Sequence, residues 1–201
     1  MNKLVSWTAA WVLGSSLVLV GCGSNKPRVE RVDVNQEIAL TDRWNDEDSR
    51  LVSQEMMQDM LTFPWISRYK MDSDDDRKPT VIIQSIRNKT DEHIPTETFV
   101  NDIKRALLRS GDVDFVVSGD ERDSIREERK DQELNAASDT QAAMGQEIGA
   151  NFALSGTINA FIDQLGKTKV KTYQVDLKLI NMTTNREVWN GQKKMKKKMT
   201  R

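Results

Sequence analysis

The order of apolar patterns predicts an α/β (α+β) fold, a single mixed β-sheet flanked by helices. Residues 80–86 (TVIIQSI) have the composition of a buried strand. Residues 152–162 alternate through Phe152, Leu154, Gly156, Ile158, Ala160 and Ile162, and residues 171–180 place Tyr173, Val175, Leu177 and Leu179 on one face. Helical periods are interleaved with these strands, which a sheet covered by helices requires.

Taken in order, the first helix is carried by Leu51, Val52, Glu55, Met56, Asp59 and Met60, with Asn45 or Asp46 as its cap and acids in its first turn. It ends at Phe63-Pro64, and Pro64-Trp65-Ile66 reads as a packed exit. Residues 71–78 (MDSDDDRK) form a charged loop. Strand 80–86 is followed by a turn at 87–90. Thr96 then caps a helix whose apolar face is Phe99, Val100, Ile103, Ala106 and Leu107, and Gly111 stops it. A second strand covers 113–117. Residues 119–134 form a charge-laced, solvated helix, and 139–148 a small helix closed by Gly149. After strand 152–162, Gly166 makes a turn to strand 171–180. A hairpin turn at 181–186 leads to a closing strand, 187–196, with Trp189 inward.

Composition narrows the chemistry. The chain has 201 residues, 37% apolar and 30% charged, with a formal net charge of −1. At about 150 residues per domain, that length gives one domain plus extras. The near-zero charge argues against a nucleic-acid binder. A single cysteine, Cys22, excludes a disulfide framework, and a single histidine, His93, leaves no pair for a zinc site. Asp72, Asp74 and Asp76 have the spacing of a calcium loop, but Arg77 and Ile83 stand where glycine and glutamate are needed. Gly166-Lys167-Thr168 mimics the end of a phosphate loop whose first glycine would fall on Phe161. His93, beside Asp91 and Glu92, has no readable nucleophile nearby, so it reads as a solvated or capping histidine. The expectation is no catalytic residue, no metal and no cofactor.

The amino terminus reads as an address. Residues 4–20 are largely apolar behind Lys3, and Leu19-Val20-Gly21-Cys22 resembles a bacterial lipobox. Its cysteine thiol is the nucleophile that carries a thioether-linked diacylglycerol. The alternative is an uncleaved anchor with a coincidental cysteine. Gly23-Ser24 follow, with no aspartate in the second position, which in bacterial lipoproteins implies the outer membrane. The expected organisation is therefore a signal peptide (1–21), a lipidated amino terminus and flexible tether (22–40), and a globular domain with a basic tail (41–201). The tether, about 18 residues, reaches at most roughly 60 Å.

Two features stay open at the level of sequence. Trp44 is either a hydrophobic staple or a partner anchor. The run Lys193-Lys194-Met195-Lys196-Lys197-Lys198 is either a lysine-protected edge strand with a frayed tail or a patch for an anionic surface.

Arg43-Trp44-Asn45-Asp46 through Arg50, Val81-Ile82-Ile83, Ile86-Arg87-Asn88-Lys89-Thr90 and His93-Ile94 occur in that order. Glu127-Glu128-Arg129, residues 149–156 (GANFALSG), Leu179-Ile180-Asn181 and Val188-Trp189 follow. Together, behind a lipobox, this set resembles the LpoB-like family of penicillin-binding-protein activators across roughly 41–196. The resemblance implies a domain similar to the amino-terminal domain of TolB. It also implies a non-catalytic, outer-membrane lipoprotein that faces the periplasm. Such a protein docks on a bifunctional class A penicillin-binding protein and stimulates peptidoglycan synthesis. The expected partners are that synthase and, through the lipid anchor, the membrane; the expected state is a monomer. A structural or assembly lipoprotein, similar to curli-secretion lipoproteins, is the alternative. The tether is shorter than in the best-known members, and the partner face is expected at an exposed sheet edge or the loops near residues 87–92.

Overall fold

The computed structural model describes residues 29–33, 36–73, 77–142 and 147–200. Contacts divide the chain into units Met1–Gln36 and Glu37–Arg201. Cys22, with the whole of the expected signal segment, lies outside the described residues.

In the second unit the elements run α1 (Asp46–Thr62), α2 (Trp65–Asp72), β1 (Thr80–Asn88), α3 (Thr96–Ser110), β2 (Asp114–Phe115), α4 (Asp120–Asn135), β3 (Phe152–Leu165), β4 (Thr168–Asn181) and β5 (Glu187–Thr200). The strands form one sheet in the order β2-β1-β3-β4-β5. β1 pairs in parallel with β2 and β3, and β3, β4 and β5 make an antiparallel meander. The predicted α+β fold with a mixed sheet is what the chain adopts.

α1 starts where its acids and cap demand. Asn45 accepts from the Asp48 amide at 2.9 Å, and the Asp48 carboxylate accepts from the Asn45 amide at 2.9 Å, closing a capping box. α1 and α3 lay their apolar faces on one side of the sheet, where Val52, Met56, Met60, Phe99, Ile103 and Leu107 meet Leu154, Ile158, Tyr173, Val175, Leu177 and Leu179. α4 buries none of its residues, as its charge pattern predicted. One irregularity lets β1 serve this core. Ile83 pairs with Leu154 and Ile86 with Gly156, so a bulge puts both isoleucines inward while Gln84 and Ser85 face out.

Five expectations need correction. The stretch after Pro64 is not an exit but α2, because Trp65 and Tyr69, four residues apart, both pack edge-on against Phe152, at 4.9 and 5.5 Å. Thr96 is the first residue of α3 rather than its cap. Pro95 holds the cap position with no side-chain bond. The second strand shrinks to two residues, although the Val116 amide still donates to Val81 O at 3.1 Å. The helix expected at 139–148 is absent from its described residues. Residues 138–140 make a turn in which the Thr140 amide donates to Ala137 O, and 147–150 have no helix. The lysine-rich tail does not fray, because every residue from Trp189 to Thr200 is in continuous register with β4.

That register, Leu179↔Trp189 through Thr168↔Thr200, makes β5 an edge strand, as one of the two readings held. Cα pairing assigns every side chain to a face. Trp189, Lys193, Met195, Lys197 and Met199 share the helix-covered face with Leu179, Val175, Tyr173, Lys171 and Lys169. Asn190, Gln192, Lys194, Lys196 and Lys198 point to the other face.

Candidate functional site

Two features could carry function: a charged seam beneath the helices, and the bare face and edge of the meander. The seam begins with a local device. Asn88 Oδ1 accepts from the Thr90 amide at 2.9 Å and hydroxyl at 2.8 Å, and its amide donates to Glu92 O at 2.6 Å. This folds residues 88–92 back so that the Glu92 side chain, 12% exposed, enters the fold. There the Tyr173 phenol donates to Glu92 Oε2 at 2.6 Å, the Trp44 amide donates to the same oxygen at 3.2 Å, and Lys171 bonds Oε1. Lys171, 1% exposed, also lies 3.3 Å from Asp91. Further along, Lys169 pairs with Asp42 at 2.8 Å, Lys197 with Asp48, and Lys193 with Glu55.

The electrostatics follow from this wiring. Burial alone would raise the Glu92 carboxyl, but the bonds from Lys171, Tyr173 and the Trp44 amide outweigh it and hold it below its ordinary value. Burial opposes charge on Lys171 as well, and Glu92 and Asp91 overcome it, so the ammonium titrates above its ordinary range. Burial and then the Glu92 charge push the Tyr173 phenol far up. A carboxylate saturated by donors and a phenol that resists ionisation suit fastening rather than proton transfer.

The expected residues fall as follows. His93 is exposed and Asp72 ends α2, while Asp74 and Asp76 lie outside the described residues. Among the described residues, no group of three His, Cys, Asp or Glu side chains could hold a metal. Gly166-Lys167 is the β3–β4 turn, with Gly166 at φ 57°. Trp44 is half-buried within the fold. Its ring packs edge-on against Tyr173 at 5.4 Å and Phe99 at 6.4 Å, and its indole N–H donates to Ser49 at 2.7 Å. Trp44, Asn88 and Thr90 are thus used by the fold. Asn151 is another: its Oδ1 accepts from Tyr69 and the Thr80 amide, which ties α2 and β1 to the start of β3.

What the fold leaves free is the opposite face. Gln84, Arg87, Thr157, Asp176, Lys178 and Gln192 border an open concavity of about 750 Å³. Beyond it, β3, β4 and β5 overrun the helices, and Phe161, Ile162 and Leu165 are exposed. No described helix is long and apolar enough to cross a membrane.

A mixed sheet with one face covered by helices and a bare, polar second face that ends in a cationic edge defines an α+β domain with its open surface on the sheet. The chain belongs to the LpoB family: the model of the family described as peptidoglycan-synthase activator LpoB matches residues 48–195. It is similar to the LpoB C-terminal domain from Escherichia coli, at 15% identity and a TM-score of 0.44, over 74% of this chain and 98% of that one. It is also similar to Escherichia coli LpoB determined by NMR, at 12% identity and a TM-score of 0.41, over 99% of this chain and 97% of that one. Lipoprotein GNA1162 from Neisseria meningitidis aligns at 15% identity and a TM-score of 0.36, over 60% of this chain and 83% of that one. No curated protein matches the chain.

Proposed function

We propose that this chain is a periplasm-facing outer-membrane lipoprotein, anchored through Cys22, that binds and stimulates a bifunctional class A penicillin-binding protein. The family match over 48–195 carries the reading, because it runs from the first turn of α1 through β1, β2, β3 and β4 and into β5. The seam supports it: the buried acids and lysines are engaged within the fold, so the protein acts through its surface. An activator of this kind needs differential affinity, since a partner that binds resting and active synthase equally shifts nothing. A tenfold shift in population requires about 1.4 kcal/mol of preference for the active form.

The test uses the full-length lipoprotein in detergent with each class A synthase of the same cell. Glycan polymerisation and cross-linking are expected to accelerate with at least one of them. Absence of binding and of rate change with all of them overturns the reading.

The anchor is tested separately. Cys22→Ala is expected to abolish incorporation of labelled palmitate and to leave unprocessed precursor in the inner membrane. Each buried methylene contributes about 0.8 kcal/mol, so several acyl chains hold a protein on a bilayer and their loss is not compensated. Normal sorting of this variant to the outer membrane would refute the lipobox.

A further inference from the structure

The lysines of β5 divide by parity. Lys193 and Lys197 lie on the helix-covered face and are neutralised by Glu55 and Asp48 of α1. Lys194, Lys196 and Lys198 lie on the bare face and are exposed, with Gln174, Thr172 and Val170 as their cross-strand neighbours. Successive residues of this ladder stand about 6.8 Å apart along the strand. Of the acids on this face of the meander, Asp163 is two strands away, in the row of Val170 and Lys198, and Asp176, in the row of Gln192, accepts from Gln174 and Gln192. On the covered face, half-buried Met195 and Met199 fill the positions beside the neutralised lysines. Among the described residues, no strand pairs with the outer edge of β5.

The edge therefore presents a row of free backbone groups, three unpaired cations above it and apolar methionines below it. We infer that β5 accepts an extended segment of a partner protein as a sixth strand, one in which acidic and apolar residues alternate. Acids on one face of the incoming strand stand opposite Lys194, Lys196 and Lys198, while the apolar residues between them reach Met195 and Met199. Opposite charges directly across a strand pair are favourable, and like charges are unfavourable. The same lysines repel a second copy of β5, so the edge is guarded against self-pairing and open to an acidic strand. A bilayer of anionic lipid would also attract the cations, but it would leave the backbone edge unused. The inference is independent of the synthase reading, because the segment's chemistry is set by β5 alone.

The probe is a short fluorescein-labelled peptide of alternating glutamate and valine, titrated by fluorescence anisotropy against the full-length protein in neutral detergent. Binding is expected, and the triple variant Lys194→Glu, Lys196→Glu, Lys198→Glu should weaken it about tenfold or more. The same peptide N-methylated at alternate residues, which blocks one hydrogen-bonding edge, should lose binding to the unaltered protein. This second measurement does not depend on how the variant folds. Equal binding of a lysine–valine peptide, or undiminished binding of the N-methylated one, overturns the proposal. So does absence of peptide binding in a protein that is retained by phosphatidylglycerol vesicles through the same three lysines. Dimerisation through β5 in place of peptide binding overturns it as well.

Discussion

Lys171→Met is expected to lower the unfolding free energy by about 3 kcal/mol, the usual cost of removing one partner of a buried pair. Lys171 is 1% exposed, and its loss leaves the Glu92 carboxylate with only the Tyr173 phenol and the Trp44 amide. Glu92→Gln is expected to cost less, about 2 kcal/mol, because Asp91 remains 3.3 Å from the ammonium. The double variant removes both desolvation costs and should recover much of the loss. Urea unfolding of the four proteins measures the coupling; strictly additive losses would show that the two charges are not a pair. The pH dependence has a definite sign. A carboxyl depressed below its ordinary 4.5 stabilises the fold above that value, and the contribution disappears as pH falls through the lower, folded-state value. An ammonium raised above 10.5 stabilises the fold below that value, and this is lost as pH climbs through the folded-state value. The gap between wild type and Lys171→Met should therefore be constant near neutrality and narrow at both extremes.

Trp189→Ala is expected to cost about 4 kcal/mol, the range for an aromatic deleted from a core. The indole is 2% exposed and spreads over Gly191, where an added Cβ would stand 2.4 Å from the ring. Its N–H donates to Asp59 of α1 at 2.8 Å, so one side chain joins the edge strand to the helix layer. Trp189→Phe keeps most of the apolar burial and forfeits a single hydrogen bond to an exposed acceptor, a loss of about 1 kcal/mol. Gly191→Val should displace the indole with Trp189 still present, visible as a shifted tryptophan emission. An unchanged spectrum in that variant would contradict the packing.

Local chemistry explains what could be read in the sequence. The start of α1 was legible because Asn45 and the acids after it act within one turn, and the inward face of β4 because Tyr173, Val175, Leu177 and Leu179 keep period two. β5 was harder. Its inward positions beyond Trp189 are Gly191, Lys193, Met195, Lys197 and Met199, so the closing strand was legible only to 196 and the residues after it read as a frayed tail. The carboxylates of α1 neutralise those lysines on the covered face. The same holds for Lys171, whose partners Asp91 and Glu92 lie 80 and 79 residues away in sequence. α2 went unread because Trp65 and Tyr69 gain their reason for helicity from Phe152, on a distant strand. For the candidate surface, the lysine run and the exposed edge were visible, but the division between neutralised and free cations depended on a register that tertiary contacts set.

The seating of α1 on β5 has a consequence for how the chain comes to be folded. Its three ties, Asp59 to Trp189, Glu55 to Lys193 and Asp48 to Lys197, span separations of 130, 138 and 149 residues. During vectorial synthesis α1 emerges early, with Met56 and Met60 unsheltered, while the strand that will become its floor is still untranslated. The hairpins β3–β4 and β4–β5 close from neighbouring residues, and non-local contacts of this length are the slow ones to form. The nascent domain must therefore remain open until β5 has been translated, and only then can α1 settle on it.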